Sequence, residues 1–543
     1  MNAKRTRVLP RAARFLASPH RGAYRRRTES QEPHPCSSTP PPASPPAPPP
    51  RSTVAAGAAP PWWRPSWRRP SSPRRPTPPW SGPTHPPPPT AADCPSALAG
   101  KARCYTGRDA QAHYAIAVPT RWNGSLVVHA HGGPDLGEAS DPSRSTGDLE
   151  RWAVMVKEGY AWAGSSYRRG GYGTRMAAAD TESVRRVFAD RFGRPGRTYL
   201  HGQSWGGNVA AKVAETYGRN PGAYDGVLLT NGVLGGGSRG YDYRVDLRVV
   251  YQYYCGNHPR PTEPQYPLWQ GLRPDSTMTA AGLRSRLREC TGFDADPAAR
   301  TPLQQRNLDD ILAVTGILER ALESHLRFAT FTFRDIVSTR LGGRNPFSNQ
   351  GVRYAGSHDD RALNAGVERF AADPAARRDL SFDSDLTGKV DLPVLTLHAI
   401  DDPTAFVEHE SAYRSTLRGA GRAHLLVQSF TRESEHSGLS DAEYATSIAA
   451  LDRWARTGHR PTPRSLAAAC PGRRPGVRHG LLLRPGLHPG PVRLPGAAPA
   501  GRPPLARPDR RAGAGVEPDR RGGHRALNPL RAAASRSAPA RPP

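Results

Sequence analysis

The amino-acid sequence predicts an α/β protein, with a mostly parallel sheet and helices on both of its faces. The central part of the chain alternates short apolar runs with stretches of helical periodicity, which is the pattern of such a sheet. The pattern breaks once, at a long insertion, and then resumes. Both ends of the chain are too poor in apolar residues to build a core. We therefore expect one α/β core with a largely helical insertion between two disordered flanks.

The flanks, residues 1–93 and 467–543, are expected to be disordered because of their composition. Residues 1–93 contain 25 of the 59 prolines, and residues 471–543 contain 15. Each of these two stretches carries 15 Lys and Arg against 3 Asp and Glu, which leaves +5 of the net charge of +29 for residues 94–470. Since Arg, Pro, Ala, Gly and Ser dominate, out-of-frame translation of a GC-rich gene is favoured over genuine basic tails.

The charge distribution bears on which partners to expect. A net charge of +29 is typical of proteins that bind nucleic acid or anionic membranes. Most of that charge lies outside the core, so no nucleic-acid partner is expected for the core itself. No apolar run reaches the length of about 18 residues that a membrane-spanning helix needs. The start of the chain has no legible signal peptide, because Pro and Arg interrupt its apolar residues.

Residues 94–232 are expected to form the first part of the core. Four apolar runs are typical of strands, at 125–130, 160–167, 197–202 and 224–232. A helix is expected before the third run and another after it, with apolar faces formed by Val184, Val187, Phe188 and Phe192 in the first helix, and by Val209, Ala210, Val213, Ala214 and Tyr217 in the second.

Residues 233–388 interrupt the strand pattern and are expected to form a cap over the sheet edge. The stretch 307–328 has helical periodicity. Five tyrosines lie close together in sequence, and they favour either a substrate pocket or the core of the cap: Tyr241, Tyr243, Tyr251, Tyr253 and Tyr254.

The second part of the core is expected at 389–466. Apolar runs at 392–400 and 424–430 predict its strands. Ser440 and Glu443 have the spacing of a capping box and predict the start of the last helix.

Ser204 is a candidate nucleophile. It stands in the sequence Gly202-Gln203-Ser204-Trp205-Gly206, between a predicted strand and a predicted helix. A serine on such a turn is exposed at the carboxyl edge of the sheet, close to a helix N-terminus that favours negative charge. The alternative is an ordinary glycine-rich turn. A serine hydroxyl also needs a base before it becomes an effective nucleophile.

Candidate acids and a candidate base follow the last two predicted strands. Asp401 and Asp402 come after the first of them, and His436 comes after the second. The alternatives are a simple Asp-Asp-Pro turn and an exposed loop histidine.

Two backbone amides are candidates to bind a developing oxyanion. One is that of Trp205, the residue after the serine. The other lies in the sequence His-Gly-Gly-Pro, which follows the strand at 125–130. Since Pro134 has no N–H, Gly133 is the better candidate.

Four cysteines of the core suggest disulfides. Local pairing, Cys94 with Cys104 and Cys255 with Cys290, is the simplest of the three possible arrangements. Disulfides imply an oxidising compartment, so a secreted or periplasmic location is expected. Four reduced, buried thiols remain the alternative.

Four motifs in this order resemble the α/β-hydrolase superfamily: "HAHGGP", "GQSWGG", "LHAIDDP" and "SEHSG". The stretches "CPSALAGKARCYTG" and "EHSGLSDAEYATSIAALDRWARTGHRP" resemble, more narrowly, secreted bacterial serine esterases with a cap insertion. The resemblance runs from about residue 94 to 463. It implies Ser204 as nucleophile, Asp402 as acid and His436 as base.

The same resemblance implies Gly133 and Trp205 as oxyanion donors. Separately, Tyr167 ends a predicted strand beside "RRGGYG" and is expected to contribute to the wall of the cleft. Asp402 is preferred to Asp401 because Asp-Pro after the strand matches the superfamily's usual turn. The expected activity is hydrolysis of a small-molecule carboxylic ester through an acyl-enzyme. No metal or organic cofactor is expected, since the core lacks clustered Cys and His, a G-x-G-x-x-G motif and a P-loop.

Two other functions remain open. "HGGP" with "GQSW" is also similar to the proline iminopeptidases, which hold a substrate's amine with cap carboxylates, and Glu319 and Glu323 share one helical face of the insertion. An aminopeptidase or amidase on the same three residues is therefore the first alternative. A non-enzymatic basic binding protein is the second. The sequence does not identify the oligomeric state.

Overall fold

One nine-stranded sheet organises the described residues of the computed structural model, which are 87–109, 111–136 and 141–470. Its order is β1-β2-β3-β5-β4-β6-β7-β8-β9. β1, β2 and β3 are antiparallel to their neighbours, and the strands from β5 to β9 run parallel. The strands are β1 Thr90–Ala92, β2 Ala102–Asp109, β3 Ala112–Pro119, β4 Ser125–Ala130, β5 Ala161–Ser165, β6 Arg197–Gln203, β7 Gly226–Thr230, β8 Val394–Ala399 and β9 Leu426–Thr431.

Helices cover both faces of the sheet. α3 and α4 pack on one face, and α1, α2 and α12 pack on the other, so that two buried apolar layers enclose the strands. This confirms the predicted α/β architecture. The α-helices are α1 Pro142–Arg151, α2 Ala153–Lys157, α3 Thr174–Phe192, α4 Trp205–Tyr217, α5 Gly236–Cys255, α6 Ala280–Thr291, α7 Pro302–Thr315, α8 Glu319–Arg327, α9 Asp360–Gly366, α10 Pro374–Ser384, α11 Glu408–Gly419, α12 Asp441–Thr457 and α13 Pro463–Ala469.

Parallel pairing places the loops that follow β4, β6, β8 and β9 at one edge of the sheet. Ala130 at the end of β4 lies opposite Gly202 of β6. Thr230 at the end of β7 pairs with both Gln203 of β6 and Leu397 of β8. The chain segments that leave β4, β6, β8 and β9 therefore emerge side by side, although they are far apart in sequence.

The helical insertion predicted at 233–388 corresponds to the stretch from α5 to α10, between β7 and β8. The single helical pattern at 307–328 is divided into α7 and α8, because Gly316 ends α7 in the left-handed conformation at φ 67°. Tyr241, Tyr243 and Tyr251 are buried within this stretch.

The boundaries predicted for the flanks need correction at both ends. β1 begins at Thr90 and pairs with β2, so the sheet includes residues before 94. α13 reaches Ala469 and Cys470 is buried, beyond the predicted limit of 466. Short strands and short helices show little periodicity in sequence, so the predicted boundaries at residues 94 and 466 were based on composition alone. Residues 1–86 and 471–543, to which the other predictions about the flanks apply, lie outside the described residues.

Two disulfides join the cysteines that are nearest in sequence. Cys94 is bonded to Cys104 of β2, with their Cα atoms 5.2 Å apart. Cys255, at the end of α5, is bonded to Cys290 of α6, with a Cα separation of 5.4 Å. None of the helices among the described residues is both long and apolar enough to cross a membrane.

Candidate active site

Ser204 lies on a sharp turn between β6 and α4. Its φ of 60° is unusual for a residue with a side chain. Its amide donates to the carbonyl of Thr230 at 3.1 Å, and its carbonyl accepts from the amides of Gly207 and Val233 at 3.0 Å each. These three hydrogen bonds hold the strained backbone in place and present the hydroxyl at the edge of the sheet.

The glycines on either side of the serine are required by backbone packing. A Cβ atom on Gly202 would clash with the carbonyl of Gly206. A Cβ atom on Gly206 would clash with the carbonyl of Ala130 at the end of β4. The spacing of the G-x-S-x-G motif therefore follows from how closely β4, β6 and α4 approach one another.

Ser204, His436 and Asp402 are linked by hydrogen bonds. Nε2 of His436 lies 2.9 Å from Oγ of Ser204. Nδ1 of His436 lies 2.8 Å from Oδ2 and 3.0 Å from Oδ1 of Asp402. Oδ1 of Asp402 also accepts from the amides of Thr404 at 2.8 Å and Ala405 at 2.9 Å. The predicted nucleophile, base and acid thus lie together, although Ser204 is 232 residues and Asp402 is 34 residues from His436 in sequence.

The environment of Asp402 favours its ionised form. Burial acts to raise the pKa of this carboxyl, but the hydrogen bond with His436 and the surrounding charges lower it overall. The charged carboxylate orients the His436 ring, with Nδ1–H toward Asp402 and Nε2 toward Ser204. Asp401, the alternative acid, has an exposed side chain and takes no part in this arrangement.

The two predicted oxyanion donors flank the serine. The loop after β4 lies beside Ser204, since a Cβ atom on Gly132 would come within 3.9 Å of the serine Cβ. Gly133 has a φ of 118°, and a Cβ atom there would lie 2.7 Å from the amide nitrogen of Asp135. Within the described part of the chain, the amides of Gly133 and Trp205 donate to no acceptor. Backbone donors left unpaired beside a serine are available to a ligand.

Tyr167, predicted to contribute to the cleft wall, is buried. Its hydroxyl donates to the carbonyl of His131 at 2.9 Å. Its ring stands perpendicular to that of Trp205, with the centroids 5.9 Å apart. Tyr167 thus packs beneath both groups predicted to supply oxyanion donors.

Several contacts around His436 were not predicted from the sequence. Nε2 of Gln203 donates to Oγ of Ser437 and lies 3.4 Å from Nε2 of His436. Ser437 has a φ of 72°, and its carbonyl accepts from Nη2 of Arg151 at 3.2 Å. Gln203 occupies a variable position of the motif, so its type carried no signal. Only the fold brings Arg151 to the loop of His436.

The insertion also contacts the loops that carry Asp402 and His436. Nε2 of His325 on α8 lies 2.8 Å from the carbonyl of Pro403, next to Asp402. Nη2 of Arg320, also on α8, donates to the carbonyl of Ser434 at 2.8 Å. One helix of the insertion therefore packs against both loops. No cluster of His, Cys, Asp and Glu among the described residues is arranged to hold a metal ion.

Comparisons with known proteins find likeness in structure only. No protein-family model matches the chain, and no curated protein matches its sequence. Candida antarctica lipase A shares 11 % identity, with 72 % of this chain and 84 % of that one covered and a TM-score of 0.36. A rice cell wall degrading esterase from Xanthomonas oryzae shares 13 %, covering 68 % and 96 %, with a TM-score of 0.33. Feruloyl esterase B from Aspergillus oryzae shares 14 %, covering 68 % and 85 %, with a TM-score of 0.31.

The fold is recognised from the chain's own topology. The parallel strands reverse their order once, at β5 and β4, and the serine turn follows the central strand β6. Asp402 follows β8 and His436 follows β9, which gives the chain order Ser, Asp, His with the serine on a strand–turn–helix motif. This protein therefore has the α/β-hydrolase fold.

Proposed function

We propose that this protein is a serine hydrolase that cleaves carboxylic esters, with Ser204, His436 and Asp402 as its catalytic residues. The observation that carries the proposal is the continuous hydrogen-bonded line from Asp402 through His436 to Ser204, with distances of 2.8 Å and 2.9 Å. A serine, a base within hydrogen-bond reach and a third group that orients the base are the requirements of an activated hydroxyl.

In the proposed reaction, Oγ of Ser204 attacks the ester carbonyl carbon while Nε2 of His436 takes the hydroxyl proton. The negative charge of Asp402 stabilises the imidazolium that forms. His436 then gives the proton to the leaving alcohol oxygen as the carbon–oxygen bond breaks, and an acyl-enzyme remains. Water attacks the acyl group with the same assistance, which releases the acid and restores Ser204.

We assign the oxyanion to the amides of Trp205 and Gly133. Their lack of another acceptor among the described residues and the glycine-only geometry at Gly133 support this assignment. The removal of one such donor typically slows a reaction by about 10²- to 10³-fold.

The ion pairs of two carboxylates in the insertion favour an ester substrate over an aminoacyl substrate. Glu319 is ion-paired with Arg300, and Glu323 with Arg284 at 2.7 Å. Neither of these carboxylates is left to hold a substrate's free amine. The two carboxylates that the sequence suggested for an aminopeptidase are thus already paired with arginines of the insertion.

We further propose that residues 233–388 act as a cap that controls access to Ser204, since α8 contacts the loops of both Asp402 and His436. The two disulfides are compatible with an extracellular or periplasmic location, where such bonds persist.

The test compares the full chain with its Ser204→Ala variant. We expect the parent protein to hydrolyse p-nitrophenyl esters and to be labelled covalently by a fluorophosphonate probe. Ser204→Ala is expected to lose labelling and at least about 10³-fold in kcat, because the nucleophile is removed. An aminoacyl p-nitroanilide, assayed in parallel, separates esterase from aminopeptidase activity.

The matched control is Ser415→Ala, which removes an exposed serine from α11. It is expected to retain activity and labelling. A folded parent protein that neither hydrolyses the esters nor reacts with the probe would contradict the proposal, as would labelling that survives in Ser204→Ala.

A further inference from the structure

His131 stands at the start of the loop that carries Gly133, and two carboxylates bracket its ring. Nδ1 lies 2.7 Å from Oδ2 of Asp148, on α1. Nε2 lies 3.0 Å from Oδ2 of Asp135, four residues further along the same loop. A neutral imidazole has one N–H, whereas an imidazolium has two. Only the imidazolium can donate to both carboxylates at once.

The surroundings of His131 favour this charged form. Burial acts to lower its pKa, but the hydrogen bonds and charges of Asp135 and Asp148 raise the pKa of His131 to about 9. Burial acts to raise the pKa of Asp148, which the neighbouring His129 and His131 lower overall. The side chains of His131 and Asp148 are only 15 % and 11 % exposed, so solvent screens the pair weakly.

We call the contacts of His131 with Asp135 and Asp148 the bridge. The remaining charged groups around it bring its net charge close to zero. Nε of Arg144, on α1, lies 3.0 Å from Oδ2 of Asp135. Nε2 of His129 lies 3.3 Å from Oδ2 of Asp148, but burial lowers the pKa of His129 and favours its neutral form. Two carboxylates thus face the cations of His131 and Arg144. At the end of α1, Arg151 adds a positive charge on the side of His129.

The bridge ties the loop to α1 at one point and to itself at another. Asp135 is four residues after His131, so the second contact closes the turn that contains Gly132, Gly133 and Pro134. The backbone of His131 is held as well, because its carbonyl accepts from the hydroxyl of Tyr167 at 2.9 Å. The direction of the Gly133 amide is thereby set from both ends of the turn.

We propose that His131 is a positioning residue, which holds the loop so that the Gly133 amide is directed at the oxyanion beside Ser204. This inference rests on the proposed function above. When the His131 ring loses one of its two N–H protons, or when the imidazole is removed, at least one of the hydrogen bonds to Asp135 and Asp148 is lost. The loop then samples orientations in which Gly133 no longer donates well in the transition state.

The test uses full-length His131→Gln and Asp148→Asn, with ester hydrolysis measured from pH 6 to 10. Each substitution is expected to lower kcat about ten- to a hundredfold, the effect of one lost charge-assisted hydrogen bond, while KM changes less than about threefold. The parent kcat is expected to fall as the pH rises through about 9, where His131 loses its proton. His131→Gln is expected to lack that decline.

The matched control is His358→Gln. It removes another histidine–aspartate pair, with Asp310, which lies in the insertion. Its kcat and pH profile are expected to match those of the parent. A thermal melt of each variant checks that the fold is retained.

A second measurement needs neither a variant nor activity. The ¹⁵N chemical shifts of the His131 ring, followed against pH, are expected to change with a midpoint near 9. A midpoint near 6.5, the ordinary value for histidine, would overturn the bridge itself.

The outcomes separate this inference from the proposed function. Unchanged kcat and an unchanged alkaline decline in a folded His131→Gln variant overturn the positioning role, while labelling of Ser204 leaves the proposed function standing. A parent protein inert to ester and probe contradicts the proposed function and the positioning role together.

Discussion

At the scale of single residues, the serine turn leaves no room for a side chain on its glycines. Gly202 faces the carbonyl of Gly206, and Gly206 faces the carbonyl of Ala130. Backbone atoms cannot rotate away as a side chain can, so a methyl group must displace a whole strand end. The G-x-S-x-G motif was informative for this reason: its glycines are required because the backbones of β4, β6 and α4 approach one another closely.

Gly206→Ala tests this account. The new Cβ atom is expected to push α4 away from β4, which destabilises the protein by about 1–3 kcal/mol and lowers activity as Trp205 moves. Chemical denaturation and ester hydrolysis measure the two effects.

The control for that substitution is Gly419→Ala, near the end of α11, where a Cβ atom meets nothing within 4 Å. Its free energy of unfolding is expected to change by less than about 1 kcal/mol. Equal stability and activity of Gly206→Ala and the parent protein would show that the approach of α4 to β4 is looser than described.

At the scale of elements, prediction succeeded where a segment carries its own signal. The run at 125–130 coincides with β4, and the capping box of Ser440 and Glu443 starts α12. The antiparallel pair β2 and β3 was not predicted, since its residues mix apolar and polar types without strict alternation. The insertion was recognised as helical, but its packing against the sheet depends on contacts that no local pattern specifies.

Helix α5 of the insertion contains a buried carboxyl group that makes stability depend on pH. Burial raises the pKa of Asp246 to about 7, although the hydroxyl of Tyr354 donates to it at 2.7 Å. The folded protein keeps this proton at pH values where the unfolded chain, with an ordinary pKa near 3.8, has released it. The contribution of Asp246 to stability therefore falls as the pH rises from about 4 to about 7.

Asp246→Asn is expected to remove this part of the pH dependence, because the amide cannot ionise. The variant should exceed the parent protein in stability by up to about 4 kcal/mol above pH 7, and the difference should shrink toward pH 4. Denaturation at a series of pH values measures it. Asp309→Asn, at an exposed position of α7, is the control and is expected to leave the slope unchanged. A parallel shift of the Asp246→Asn curve at all pH values would contradict the assignment.

At the scale of the whole molecule, the site combines segments that no local pattern connects. Ser204, Asp402 and His436 could each be proposed from a motif and its place after a predicted strand. The contacts of Gln203, Arg151 and α8 could not, since they depend on how distant segments pack.

The uneven charge of the chain supplies a test at this scale. The full chain, with a net charge of +29, is expected to bind heparin at low salt, and binding should weaken steeply as salt is added. A chain limited to residues 87–470 lacks nearly all of that charge and is expected to lose the binding but keep ester hydrolysis. Tight heparin binding by residues 87–470 at physiological salt, without hydrolysis, would favour the binding-protein alternative.

The distance in sequence between the proposed nucleophile and the proposed base has a consequence for biosynthesis. His436 follows Ser204 by 232 residues, with the whole insertion between them. At ordinary rates of translation the ribosome needs roughly 10–50 s to add that length of chain. During this interval the nascent chain carries the serine turn without its base. If the proposed function holds, a nascent chain that ends before His436 is therefore inactive, and activity can begin only after the second part of the core has been added and has folded.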